Sequence, residues 1–150
     1  MRRSGRISLV GAFCLLAVVL VAVLLLFGKP GPGNAGAEFM DALARGDVKK
    51  LCELSYFSQA PSSKELTDEW TLATGVAGKH YNFAWRITAT SVTGDTATVS
   101  LGVTRNFGSA ASYEENYALP MKLVNGEWKV DVVQISRELY PGLPTGAGNV

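Results

Sequence analysis

Few side chains in this 150-residue chain can do chemistry, and their types narrow what that chemistry is. There is one histidine, His80, and there are two cysteines, Cys14 and Cys52. Cys14 lies inside an apolar run, so one imidazole and one thiol remain, too few for the clustered ligands of a structural zinc site. No phosphate-binding loop, dinucleotide fingerprint or Gly-x-Ser-x-Gly nucleophile motif occurs. What is left is a polar group that strand register brings to one end of a sheet: Arg105, Glu115, Tyr117 and Gln134. A guanidinium beside apolar walls can anchor the carboxylate or phosphate of a small-molecule ligand. The competing reading is a wet cross-strand ion pair between Arg105 and Glu115, worth well under about 1 kcal/mol. No catalytic residue, metal ligand or cofactor is assigned.

The elements that position this group show in the hydrophobic period. Phe83, Trp85, Ile87 and Ala89 alternate with polar or small residues, as do Ala97, Val99, Leu101 and Val103. Tyr117, Leu119, Met121 and Leu123 form a third row, and Trp128, Val130 and Val132 a fourth. Asn125-Gly126 is a two-residue hairpin signal that pairs Leu123 with Trp128, Met121 with Val130 and Leu119 with Val132. A loop centred near Ala110 pairs Val103 with Tyr117 and Leu101 with Leu119, and one near Gly94 pairs Ile87 with Leu101. The same register sets Arg105 opposite Glu115 and Phe83, and Tyr117 opposite Gln134. Acid–base catalysis would need a titratable group deep on this face. Val99, Leu101, Leu119, Met121, Val130 and Val132 fall there, while Asp131 and His80 fall on the other phase.

Three helices precede the strands. Ala37 to Arg45 has Phe39, Met40 and Leu43 on one side, and Gly46-Asp47 stops that helix and caps the next. Val48, Leu51 and Cys52 stripe the second helix, which assigns Cys52 to packing, with an intermolecular disulfide as the alternative. Ser62 and Glu65 have the spacing of a capping box and open a third helix through Trp70, Ala73 and Ala77. Three helices followed by four antiparallel strands predict an α+β domain.

Ile7–Phe27 is uncharged, and its twenty-one residues would span roughly 30 Å as a helix. Arg2, Arg3 and Arg6 precede it and Lys29 follows. The expectation is a single-pass membrane helix with residues 1–6 cytoplasmic and the domain extracytoplasmic, in the cell envelope. Residues 28–36 read as a flexible Gly/Pro linker, 37–140 as the domain and 141–150 as a disordered tail. Beyond Phe27 there are 11 basic against 13 acidic residues, a net −2. That balance gives no electrostatic basis for a nucleic-acid partner.

Two stretches carry a family likeness. "AEFMDALARGDVKKLCELS" (Ala37 to Ser55) resembles the opening of nuclear-transport-factor-2-like, or cystatin-like, domains, and "LVNGEWKVD" (Leu123 to Asp131) resembles their closing hairpin. The likeness extends most closely to lumazine-binding-like bacterial envelope domains of unknown function. It implies a curved four-stranded sheet wrapped on three helices, a fold that often leaves a conical cavity. Such folds host isomerases, dehydratases and non-catalytic modules alike, so the fold alone does not choose among them. The expected function is a membrane-anchored binding or assembly module. The alternatives are a small-molecule binder using the cone and, less favoured, a cavity-based isomerase or hydrolase. Val133 and Ile135, on the outer phase of the last strand, mark a candidate contact for a homodimer or an envelope complex.

Overall fold

Residues 29–77 and 83–146 are described in the computed structural model. Helix α1 runs over Pro32–Arg45, α2 over Val48–Leu54 and α3 over Ser63–Ala77. Strands β1 (Ser55–Tyr56), β2 (Phe83–Thr93), β3 (Thr96–Arg105), β4 (Tyr113–Val124) and β5 (Glu127–Asp131) build one sheet, and a 3-10 turn follows at Val132–Gln134.

Local signals set the helix ends. Gly46 takes the left-handed conformation at φ 66°, which glycine adopts without a Cβ clash. Its N–H and that of Asp47 donate back to Leu43 O and Ala42 O at 3.3 and 2.9 Å, closing a Schellman motif. Asp47 Oδ1 then accepts the Lys50 N–H at 3.1 Å and starts α2. The capping box forms at α3: the Ser62 N–H donates to Glu65 Oε2 at 2.8 Å, and the Glu65 N–H donates to Ser62 Oγ at 3.3 Å.

α1 begins within the stretch read as a linker. Pro32 stands in its first turn, where a missing N–H costs nothing, and Ala35 and Gly36 are buried. A Cβ on Gly36 would meet the Val99 side chain at 3.3 Å, so this glycine lets α1 lie close on the sheet.

The sheet has five strands in the order β1-β5-β4-β3-β2, not four. β1 pairs parallel with β5 through Ser55–Val130 and Tyr56–Asp131. Two residues directly after α2 are too short to show alternation, which is why the sequence hides this strand. The Asn125-Gly126 turn has φ 52° and 78°, and it sets Met121 against Val130 and Leu123 against Trp128. Between β2 and β3, Trp85 meets Val103 and Ile87 meets Leu101. A bulge between Ile87 and Ala89 then moves Thr90 and Val92 onto the phase expected for Ala89. Between β3 and β4 the register is offset by two residues from that expected: Leu101 meets Tyr117 and Val103 meets Glu115. An offset of two keeps every side chain on its face.

Val99, Leu101, Val103, Leu119, Met121 and Val130 fill the inner face beneath Phe39, Met40, Leu51 and Trp70. Each such burial removes roughly 1.5–3 kcal/mol of apolar exposure. After Asp131 the chain leaves the sheet. Ile135 is buried rather than on the outer face, whereas Val133 is exposed. Leu139, Tyr140, Leu143 and Pro144 are buried too, so ordered packing continues into the stretch read as a tail.

The expected single-pass membrane topology, with an extracytoplasmic domain in the cell envelope, is corrected. Among the described residues no helix is long and apolar enough to cross a membrane. The longest, α3, has 15 residues, about 22 Å, and carries Lys64, Glu65, Asp68 and Glu69. Ile7–Phe27, which prompted the expectation, lies outside the described residues, and the described fold sets no localisation.

Replacing Ser62 with alanine removes half of the capping box without touching the core. It should lower stability by about 1 kcal/mol, read from urea denaturation midpoints. An unchanged midpoint would mean that the box does not help to hold α3.

Candidate functional site

Arg105 ends β3, and its neighbours follow from the pairing there. Phe83 is directly opposite it on β2 and Tyr113 on β4, so Glu115 is reached diagonally rather than across. Arg105 Nε donates to Glu115 Oε2 at 3.0 Å, and Nη2 donates to the Tyr117 hydroxyl at 3.2 Å. Tyr117 in turn donates to Glu115 Oε2 at 2.7 Å. The guanidinium carbon lies 5.5 Å from the centre of the Tyr117 ring and 6.0 Å from that of Phe83.

Arg105 is not at an open mouth. It is 7% exposed, and Nη2 also donates to the backbone carbonyls of Glu138 and Leu139 at 2.7 and 2.9 Å. The chain after β5 therefore crosses the end of the sheet and closes over the arginine. A little further on, Gly142 packs against Ala73 of α3 and Gly146 against Phe57. The surface ion pair weighed above becomes a half-buried one, with Arg105 inside and Glu115 partly exposed, in which the guanidinium also satisfies two main-chain acceptors.

The electrostatics follow from that arrangement. Burial disfavours the Arg105 charge, but hydrogen bonds with Tyr117 and Glu115 outweigh it, and its pKa lies above the ordinary arginine value. The Glu115 carboxyl is held below the ordinary glutamate range, first by the Tyr117 hydroxyl and then by Arg105. Burial pushes the Tyr117 hydroxyl up. None of the three is poised to exchange a proton near neutrality.

Arg105, Glu115 and Tyr117 thus come together, and Gln134 does not join them. It is exposed in the 3-10 turn, and its Nε2 donates to Asp131 Oδ2 at 2.7 Å. Both residues border a trough of about 420 Å3 on the opposite face of the sheet. Tyr56, Ser91, Thr93, Thr96 and Thr98 line it, together with Lys122. Every strand contributes to this trough, and no single stretch of sequence announces it. The bulge in β2 is what sets Ser91 across from Thr98. Lys122 Nζ meets Asp95 Oδ2 at 2.6 Å, a hydrogen bond that raises the lysine pKa and lowers that of the aspartate.

The remaining candidates are structural. Ser55 Oγ accepts from Trp70 Nε1 at 3.1 Å and donates to Leu51 O at 2.6 Å, a satisfied buried pair. Cys52 is half-buried beside Thr67, and burial raises its thiol, which favours packing over nucleophilic use. A second cleft, about 430 Å3 beside Trp128, has its Lys50 bridged to Glu38 at 3.0 Å. Among the described residues no three His, Cys, Asp or Glu side chains group as metal ligands, and His80 and Cys14 lie outside them.

No protein-family model matches the chain, and no curated protein matches it. Solved structures do resemble it. A SEC-C motif containing protein from Rhodopseudomonas palustris is 16% identical, with 73% of this chain and 84% of that one covered at TM-score 0.51. A protein described as a calcium/calmodulin-dependent protein kinase type II association domain, from Thiobacillus denitrificans, is 11% identical, with 68% and 90% covered at TM-score 0.52. A protein described as an NTF2-like transpeptidase from Campylobacter jejuni is 19% identical, with 67% and 97% covered at TM-score 0.49. At these identities the likeness is one of fold alone; the third protein's description carries the family name that the two sequence stretches resemble.

Two substitutions test the buried cluster. Arg105→Met strands the Leu139 carbonyl and should cost roughly 2–4 kcal/mol in urea denaturation. A loss under about 1 kcal/mol would restore the surface-pair reading. Glu115→Gln should destabilise at neutral pH. A depressed carboxyl contributes fully above the unfolded glutamate pKa, about 4.3, and loses that contribution as pH falls through its folded value. The gap between wild type and Glu115→Gln should therefore shrink below about pH 4.3, and a gap constant from pH 7 to pH 3 would contradict it.

Proposed function

We propose that this nuclear-transport-factor-2-like chain is a non-catalytic binding module that uses the outer face of its sheet. The contrast between the two faces supports this. Inside, the rows where an acid or base would have to sit are taken by Val99, Leu101, Leu119, Met121 and Val130, at 2% exposure or less. The one guanidinium buried among the described residues is held by a carboxylate, a phenol and two carbonyls of its own chain. Outside, the trough offers about 420 Å3, within the roughly 300–1,000 Å3 common for ligand clefts.

Its chemistry indicates the class of ligand. Threonine and serine hydroxyls donate and accept, the Asp131–Gln134 pair offers a fixed carboxylate and amide, and Lys122 is already balanced by Asp95. A polar ligand with many hydrogen-bonding groups and no large net charge fits this lining better than an apolar or polyanionic one.

Thr98 points its side chain into the trough and away from the core, so Thr98→Arg fills the site while sparing the fold. Native mass spectrometry of the full chain purified from its source cells should show a co-purifying polar species that Thr98→Arg loses. Retention of that species by Thr98→Arg would contradict the trough. A ligand-free dimer broken by Thr98→Arg would assign the face to self-association instead.

A further inference from the structure

One edge of the sheet is only partly covered. β1 pairs with β5 at Val130 and Asp131, so among the described residues no strand lies beside Glu127, Trp128 and Lys129. The backbone of Trp128 is turned towards that gap. A two-residue turn makes Val124–Glu127 a hydrogen-bonded pair, so the next pair, Leu123–Trp128, is a non-bonded one whose N–H and C=O groups point outwards. Leu123 shows this from the other side of the hairpin, since its N–H donates to Asp95 O at 2.7 Å and not to β5. A donor and an acceptor turned outwards at a strand edge are a template for another strand.

The gap is a cleft of about 430 Å3, bounded by β5, the start of α1 and the end of α2. Trp128, Leu54, Ala35 and Pro30 give it apolar walls. Of the three lysines in its lining, Lys50 bridges to Glu38 at 3.0 Å, and Lys129 Nζ donates to the Glu53 carbonyl at 2.9 Å. Among the described residues Lys29 has no such partner. Its ammonium lies over the hairpin turn, where a Cβ on Gly126 would meet Nζ at 2.6 Å. It therefore stands at the end of the open edge where β5 begins. Glu127, on the same rim, disfavours a second negative charge there.

We infer that this edge of β5 takes the C-terminal end of a peptide as an added antiparallel strand, its free carboxylate on Lys29 and an apolar side chain beside Trp128. The strand is antiparallel because its last residue then arrives where β5 starts, at the lysine. The residue opposite Trp128 places its side chain on the same face as the indole, within contact range. Backbone bonds to Trp128 supply affinity that is indifferent to sequence, while the apolar wall and Lys29 select the residue type and the chain end. The site is separate from the outer trough and does not depend on it.

The experiment immobilises the full chain and offers it a library of N-acetylated tetrapeptides with free carboxylates, and the same library amidated, with captured peptides identified by mass spectrometry. Free-acid peptides with an apolar residue at a fixed distance from the C-terminus should be enriched. Lys29→Gln, at an exposed position, should weaken capture of the best free acid at least about tenfold and leave its amide unchanged. N-methylation at alternate residues of that peptide should abolish capture in one phase and spare it in the other, as a strand ladder requires. Thr98→Arg should change nothing. No enrichment, or equal capture of acids and amides, would overturn the proposal. Equal sensitivity to N-methylation at every position would overturn strand addition, and loss of capture in Thr98→Arg would move the peptide to the trough and overturn this site.

Discussion

One face of the sheet is apolar on each long strand and must be kept from water. Val99, Leu101 and Val103 on β3 continue into Leu119 and Met121 on β4 and Val130 on β5. No single helix is broad enough to cover that surface, so three are used. α1 settles closest because Gly36 removes a side chain where Val99 comes up, which also explains why helix begins as early as Pro32. The helices still leave the Arg105 end of the sheet open. The chain after β5 closes it, and the buried Leu139, Tyr140 and Leu143 belong to the same core as the helices.

A charge inside such a closure needs an account. Burying an unpaired guanidinium costs several kcal/mol, and a leucine at the same place would pack without that cost. Arg105 supplies what leucine cannot, namely donors for carbonyls in a segment that has no strand or helix to satisfy them. The arginine and the irregular segment therefore explain each other. Glu115 and Tyr117 balance the charge from the half-exposed side, which keeps the guanidinium partnered however the segment is arranged.

The parts of this fold that were legible in the sequence are those fixed by residue type at short range. Asn125-Gly126 set the last hairpin, Ser62 and Glu65 capped α3, Gly46 ended α1, and alternation separated the faces. The convergence of Arg105, Glu115 and Tyr117 was legible for the same reason, since an error of two residues in register does not change a side chain's face. Backbone features were not. The two-residue β1, the bulge after Ile87 and the carbonyls of Glu138 and Leu139 carry no side-chain signature. Gln134 was misplaced because extending the strand beyond Asp131 assumed a ladder that the chain abandons for a 3-10 turn. The outer trough was illegible as well, because it is assembled from side chains of separate strands whose alignment depends on that bulge.

The two faces of the sheet have consequently been left with different freedom. Inward positions answer to volume: a change at Leu101 or Val130 must be absorbed by α1, α2 and α3 together. Outward positions such as Ser91, Thr98 and Lys122 touch solvent and one another, so their identities can change without disturbing the core. A bulge in β2 links the two, because moving one residue out of the ladder shapes the inner edge against α1 and aligns the outer hydroxyls in the same step. Removing it would return Ala89 to the inner phase and Ser91 and Thr93 with it, taking two of the present hydroxyls out of the trough. Recognition on the outside is thus tied to the fold through backbone geometry, not through any residue shared between core and trough.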